Sequence, residues 1–390
     1  MEITTESSGG ASIGTTLAAE SVTIGSIAGL RVLVVLTQPP LPEGGAPGKV
    51  AVGLLRGLQA HGLDACALAA RQHFAVPGDI PADLDVEQVE VVPPGPWEGR
   101  LGRIVRPRGE LAGPFAARVA EAARSADVVF LDQVETVWCA EGLTTPHALH
   151  LHYLARLDRG LGAPHRRQFR QVLDQERAER RAIRTIDELV ASSPVVAAEL
   201  RRRAPAADVT IAPLSLDPSL YRPAPLDGPP TAGLIGTATW PPTAAALRVL
   251  LEDVWPRVQA PDASLVVAGR GTQRFGGIGE VDSAGDFFQG VSLLLFPLPR
   301  GSGMKVKTLE AMASGVPVVT TPAGAEGIEA SDGVIVEAEP ERLAAAAREL
   351  LTDEAARRER GAAAREDFER RYSPAPATKA LVELLERMLA

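Results

Sequence analysis

The run VSLLLFPLPRGSGMKVKTLEAMASGVPVVT occupies Val291–Thr320 and reads as strand, glycine turn, helix, turn, strand. Val291 to Phe296 is an apolar run, and Gly301-Ser302-Gly303 is the turn. Lys305 to Ser314 has helical composition, Gly315 stops the helix, and Val316 to Val319 is a second apolar strand. Two of the four lysines of the chain, Lys305 and Lys307, open this helix; elsewhere positive charge is carried almost entirely by arginine. The N-terminal end of a helix is already positive, so two ammonium groups there are unfavourable unless an anion sits beside them. Backbone N–H groups opened by glycines at a helix start favour a phosphate or diphosphate as that anion.

Working outward, Arg31 to Leu36 has a buried-strand pattern, followed by a Pro/Gly loop from Gln38 to Gly48 and a helix from about Lys49 to His61. Further strands are expected at Asp64–Ala69, Asp85–Val92, Asp127–Leu131, Ala148–His152 and Asp187–Ser192, with an Arg/Glu-rich helix from about His165 to Thr185. Pro213–Pro230 is proline-rich and aperiodic. After it a second series begins at Ala232–Gly236 and continues through a helix at Thr243–Val258, a strand at Ser264–Ala268, the opening motif and a helix at Pro340–Leu351. Such alternation in both halves predicts an α/β fold of two Rossmann-like parallel-sheet domains facing a central cleft. The expected boundaries are a disordered leader at 1–29, a first domain at 30–215, a linker at 216–230, a second domain at 231–372, and a C-terminal helix at 373–390 packing back on the first domain.

A chain of 390 residues exceeds one ordinary core and suits two domains. A net charge of −9 argues against binding nucleic acid through overall charge. Cys66 and Cys139 stand far apart, outside any metal-ligand spacing, and read as buried small hydrophobes in a reducing cytosol. The first 29 residues lack the basic start and apolar stretch of a signal peptide, and no run approaches the roughly 20 apolar residues of a membrane helix. A cytoplasmic protein with at most peripheral membrane contact is expected.

With both halves in view, the chain resembles retaining GT-B glycosyltransferases of family 4, from about Arg31 to the C-terminus. Gly301–Val319 matches the branch with a Gly-x-Gly-x-basic-x-Lys-x-Leu-Glu-Ala-Met-Ala pattern, and Thr321–Gly327 continues it. Gly236-Thr237, within Leu234–Pro242, resembles the start of that branch's second domain, and Leu265–Gly271, including Arg270, its next strand and loop. The resemblance implies transfer of a sugar from a nucleotide-diphosphate donor, UDP favoured on prevalence, to an acceptor hydroxyl, with retention and without a metal or other cofactor. Glu310 would take the ribose through two vicinal hydroxyls. Gly301, Ser302, Gly303, Met304, Lys305 and Lys307 would take the diphosphate, helped by Arg270. Glu326 and the backbone at Gly324 would approach the sugar, with His152 near the transferred group and Gly44-Gly45 near the phosphates. Asp132 and Gln133 are candidate acceptor contacts. The first domain would bind a small-molecule, lipid-linked or glycan acceptor through the loops 70–81 and 93–114. Many members of the family carry an Arg and a Lys after the first strand of the second domain as a diphosphate clamp, but Gly236–Thr243 holds no base, so Lys305 and Lys307 must serve. Thr243 replaces a usual Asn and is read as a helix-cap exchange.

Blander readings stand beside these. His147, His150 and His152 are read as alternating, with His150 pointing away from the other two, so no metal triad is expected. Asp83-Leu84-Asp85 imitates an Asp-x-Asp metal motif but precedes an ordinary strand. The Arg-rich helix from Arg166 to Arg184 carries Asp174, Glu176 and Glu179 at salt-bridge spacing and reads as solvated. A nucleotide-sugar epimerase on the same fold, or a non-catalytic nucleotide-sugar binder, are the alternative functions. Base, sugar, acceptor and oligomeric state are not legible.

Overall fold

A computed structural model describes residues 28–72, 78–91, 111–162 and 167–390. Residues 1–27 of the expected leader lie outside these, as do the middle of the 70–81 loop and most of the 93–114 loop.

In chain order the first domain contains β1 (Arg31–Leu36), α1 (Ala46–Ala60), β2 (Asp64–Gln72), β3 (Asp85–Val91), α2 (Pro114–Ala122), β4 (Val128–Asp132), β5 (His147–Leu151), α3 (Ala155–Arg159), α4 (Arg167–Thr185), β6 (Glu188–Ala191), α5 (Pro194–Arg203) and β7 (Asp208–Ile211). The second contains β8 (Thr231–Ile235), α6 (Pro241–Arg248), α7 (Trp255–Val258), β9 (Ser264–Ala268), α8 (Ala284–Gln289), β10 (Leu293–Phe296), α9 (Val306–Ala313), β11 (Val318–Thr320), β12 (Val334–Val336), α10 (Pro340–Thr352) and α11 (Glu354–Arg371), before α12 (Pro374–Leu389).

Among the described residues, seven parallel strands in the order β3-β2-β1-β4-β5-β6-β7 form the first sheet, and five in the order β12-β11-β10-β8-β9 form the second. The continuous apolar run in β1 follows from burial on both faces. Leu33 and Val35 enter one core layer with Phe115 and Leu149, while Val32, Val34 and Leu36 enter the other with Leu55 and Leu58. Helix α12 supplies Leu381, Val382, Leu384 and Leu385 to that second layer. It crosses α1 so closely that a Cβ on Gly57 would lie 2.4 Å from Thr378.

The helix expected at Thr243–Val258 lies within one continuous helical run made of α6, a π-helical stretch at Val249–Val254, and α7. Pro256 accounts for the π-helical stretch, since its ring removes one ladder donor and displaces the carbonyl four residues before it. Thr243 is no cap: Trp240 holds the cap position, and the Thr243 methyl is buried against Gly236. Helices α2, α3, α8 and α11 and strands β7 and β12 have no counterpart among the expected elements.

Candidate active site

In open parallel sheets, ligands settle where neighbouring strands send their connections to opposite sides. In the first sheet that point lies between β1 and β4, whose ends lead to the Gly44-Gly45 loop and to Asp132-Gln133. In the second it lies between β8 and β10, whose ends lead to the Gly236 loop and the Gly301–Gly303 turn. The residues singled out from the sequence therefore belong largely to these two points, and the two points meet.

Glu310 is the centre of the meeting. It is buried on α9, and its Oε1 accepts from Lys49 Nζ at 2.7 Å and from Tyr221 Oη at 3.2 Å. Lys49 comes from the first turn of α1, just past Gly45, and Tyr221 from the linker. Burial, and next the Glu310 carboxylate, push the Tyr221 phenol well above its ordinary range, so it remains a donor. Neither partner was singled out in the sequence. Lys49 had a signal there: it is another of only four lysines, and it follows the glycine pair. Gly45 sets its entry in an extended conformation at the N-cap, its carbonyl accepting from Gly48 and Lys49 amides.

Lys305 and Lys307 diverge. Lys305 occupies the N-cap position of α9, and its Nζ donates to the Ser302 carbonyl at 2.6 Å and lies 3.3 Å from Asp158 Oδ1. The Lys307 ammonium lies 4.5 Å from the centroid of Phe296, and its stem packs against Gly236. Lys307 is part-buried as a residue, but its charged end is crowded by protein. That desolvation, reinforced by Lys305 and opposed by Glu310 and Asp158, pushes its pKa down to about 8.

The expectation of open amides at the glycine turn needs correction. Ser302 N–H donates to Asp158 Oδ1 (3.3 Å) and Gly303 N–H to Glu326 Oε1 (2.7 Å). The same Glu326 oxygen accepts from Ser193 Oγ at 2.5 Å, so in the closed cleft it binds the seam between domains. Ser302 Oγ donates to the Leu154 carbonyl and accepts from the Leu154 amide. Gly303 has φ +71°, and a Cβ there would stand 1.8 Å from the His152 carbonyl oxygen, so only glycine allows this approach. Two carboxylates, Asp158 and Glu326, thus occupy donors that the sequence assigns to an anionic ligand.

His152 Nε2 lies 2.7 Å from Asp132 Oδ1. His150 also faces that oxygen, at 3.4 Å, with its ring 4.5 Å from that of His152. The expectation that His150 points away from His152 is wrong, because residues two apart on a strand share a face and His147 takes the other. Together Asp132, His150 and His152 offer one ligand atom each within 4.8 Å. Burial alone would raise the Asp132 carboxyl, but His152 and His150 outweigh it and hold the group far below its ordinary range. Burial, with His152 next, lowers His150 and keeps it neutral. The His150 ring and the Ser215 hydroxyl, both without hydrogen-bond partners, line a cavity of ≈ 10 Å³, about the space one water needs. Gln133 adopts φ +71°, ψ 151°, a strained region that residues other than glycine rarely occupy.

The remaining expected contacts have the following partners. Arg270 is mostly exposed and pairs with Glu280 at 2.9 Å. Met304 is buried, its Sδ accepting from the Leu214 amide. Thr237 is exposed, with its carbonyl bonded to the Trp240 amide. Gly324 serves a tight turn: its amide donates to Thr321, its carbonyl accepts from Thr308, and a Cβ would collide with Thr320. Gly301 lies against the end of Lys305. Asp83 pairs with Arg56, not with a second carboxylate across a metal position.

Residues 229–353 match the family model "Glycosyl transferases group 1". That span holds the Gly236 loop, both lysines, Glu310 and Glu326. Solved structures resemble the chain over nearly its whole length. Sucrose-phosphate synthase from Thermosynechococcus elongatus is 15% identical with a TM-score of 0.69, over 92% of this chain and 99% of that one. HepE from Anabaena, in complex with UDP and glucose, is 17% identical with a TM-score of 0.62, over 91% and 99%. A glycosyltransferase from Rickettsia africae is 12% identical with a TM-score of 0.61, over 93% and 99%. The fold is GT-B. No curated protein matches the chain in sequence. No helix among the described residues is long and apolar enough to cross a membrane.

Proposed function

We propose that the chain is a glycosyltransferase that moves a sugar from a nucleotide-diphosphate donor, a UDP-sugar by preference, to an acceptor hydroxyl with retention of configuration. The observation that carries this reading is the cluster at the facing switch points. Lys305, Lys307 and Glu310 lie within the matched family segment, and the first domain closes on them through Lys49 and Asp158. UDP is favoured because HepE, a structural neighbour, was seen with UDP and glucose.

In this reading Glu310 releases Lys49 and accepts from the donor ribose, while Lys305 exchanges Asp158 for the diphosphate. The bond from the anomeric carbon to the phosphate oxygen breaks, and the acceptor oxygen bonds to that carbon from the same face. The acceptor proton passes to the departing phosphate oxygen. Charge growing on the leaving group is met by two lysines and the start of α9, whose first amides have no intrahelical acceptor. Side-chain cations therefore do the work a metal does elsewhere. His152, oriented by Asp132, stands by the transferred sugar, and Gln133 borders the acceptor.

Incubating the protein with labelled UDP-, GDP- and ADP-sugars tests the reading. Transfer or slow donor hydrolysis that persists in chelator, with NMR showing the donor's anomeric configuration in the product, supports it. Inversion at C2 of the sugar would mark an epimerase, and binding without turnover a non-catalytic binder.

A further inference from the structure

Arg159 is buried at the C-terminal end of α3, and its Nε and Nη2 have no hydrogen-bond partner. No carboxylate pairs with it among the described residues. The adjacent Asp158 is turned to Lys305 and the Ser302 amide. A buried arginine is ordinarily matched by an anion, since a lone charge out of water is strongly unfavourable. Here the guanidinium is held instead by aromatic rings. Its Cζ lies 4.6 Å from the Trp240 centroid and 5.9 Å from that of Tyr153, and the two rings meet edge to face at 6.2 Å. Such stacking stabilises the cation but covers only its face. Its in-plane N–H donors keep the fork geometry that suits a phosphate.

The position of Trp240 gives this arrangement its meaning. Trp240 belongs to the second domain, in the loop Gly236–Pro242 that carries no basic residue. Lys307 packs against the first residue of that loop, and Lys305 contacts the residue next to Arg159. We propose that Arg159, contributed by the first domain and held by Trp240 of the second, binds the donor diphosphate as the arginine that the Gly236–Pro242 loop lacks. Because Arg159 and Trp240 lie on different domains, this ligand is complete only when the cleft is closed. The inference rests on the nucleotide-sugar reading of the same site.

The test uses the full-length protein and calorimetric titration with inorganic pyrophosphate and with UDP. Arg159→Gln should weaken both by at least about tenfold, as loss of a charge-assisted pair implies. It should leave the ligand-free melting temperature unchanged or higher, because the buried charge it removes has no partner. Trp240→Leu should weaken pyrophosphate in the same direction, and Trp240→Phe should restore it. Unchanged pyrophosphate and UDP affinity in Arg159→Gln would overturn the assignment alone, leaving the donor site standing. A clearly lower ligand-free melting temperature would also overturn it, by marking Arg159 as a structural ion. If the wild-type protein bound neither pyrophosphate nor UDP, GDP or ADP, the donor reading and this inference would fall together.

Discussion

Replacing Lys307 with methionine separates two consequences of one buried charge. The ammonium has an ordinary pKa of 10.5 and is pushed down to about 8, first by burial and then by Lys305, against the opposing pull of Glu310 and Asp158. At about 1.4 kcal/mol per pH unit, holding the charged form folded at neutral pH costs up to about 3 kcal/mol. The sign follows from proton counting. Below pH 8 both folded and unfolded chains carry the proton, and the full cost applies. Between about 8 and 10.5 the folded chain releases it first, so the unfolded state binds more protons and stability rises with pH. Ligand-free Lys307→Met should therefore melt above wild type at pH 7, with the gap closing by pH 10. A diphosphate beside Lys307 restores its charge. UDP binding should then take up about half a proton at pH 8 and about 0.9 at pH 9, the neutral fractions of a group with pKa near 8. Titration in buffers of different ionisation enthalpy measures this uptake directly. No buffer dependence between pH 8 and 9, or equal uptake in Lys307→Met, would refute the reasoning.

Lys49→Met strands Glu310 in a buried site with only Tyr221 as donor, and removal of one partner of a buried pair costs about 3–5 kcal/mol. Its melting temperature should fall, and the double variant with Glu310→Gln should recover most of the loss. Asp132→Asn removes the carboxylate that orients His152, and turnover should drop by about a hundredfold with UDP affinity retained. A steady-state and binding comparison decides it; equal losses in both would instead mean a misfolded seam. Gly303→Ala places a Cβ into the His152 carbonyl in a left-handed conformation. Scattering should show a more open particle, and transfer should vanish while each domain keeps its secondary structure.

Much of the fold was legible because its cause is local. Apolar runs such as Arg31–Leu36 and Val291–Phe296 record burial on both sheet faces, and the glycine turn before Lys305 records a helix start. Alternation with helices predicted two parallel sheets, and the strand order of the structure puts Gly44-Gly45, Asp132-Gln133, Gly236 and Gly301–Gly303 at the two switch points. Errors arose where a local rule was misapplied or overridden. His150 and His152, two apart on a strand, share a face, and Pro256 widens a continuous helix into a π-helical stretch that composition does not announce.

The amino-acid sequence by itself determined two parallel-sheet domains and a lysine-rich glycine turn at the edge of the second. It could not say which group answers each lysine. Glu310 meets a lysine 261 residues away, Lys305 an aspartate 147 residues away, and Arg159 an indole on the other domain. Periodicity encodes which face of an element is buried, because that depends on neighbours a few residues apart. The pairing of charges across a cleft depends on how two finished surfaces meet, and only the tertiary structure decides it.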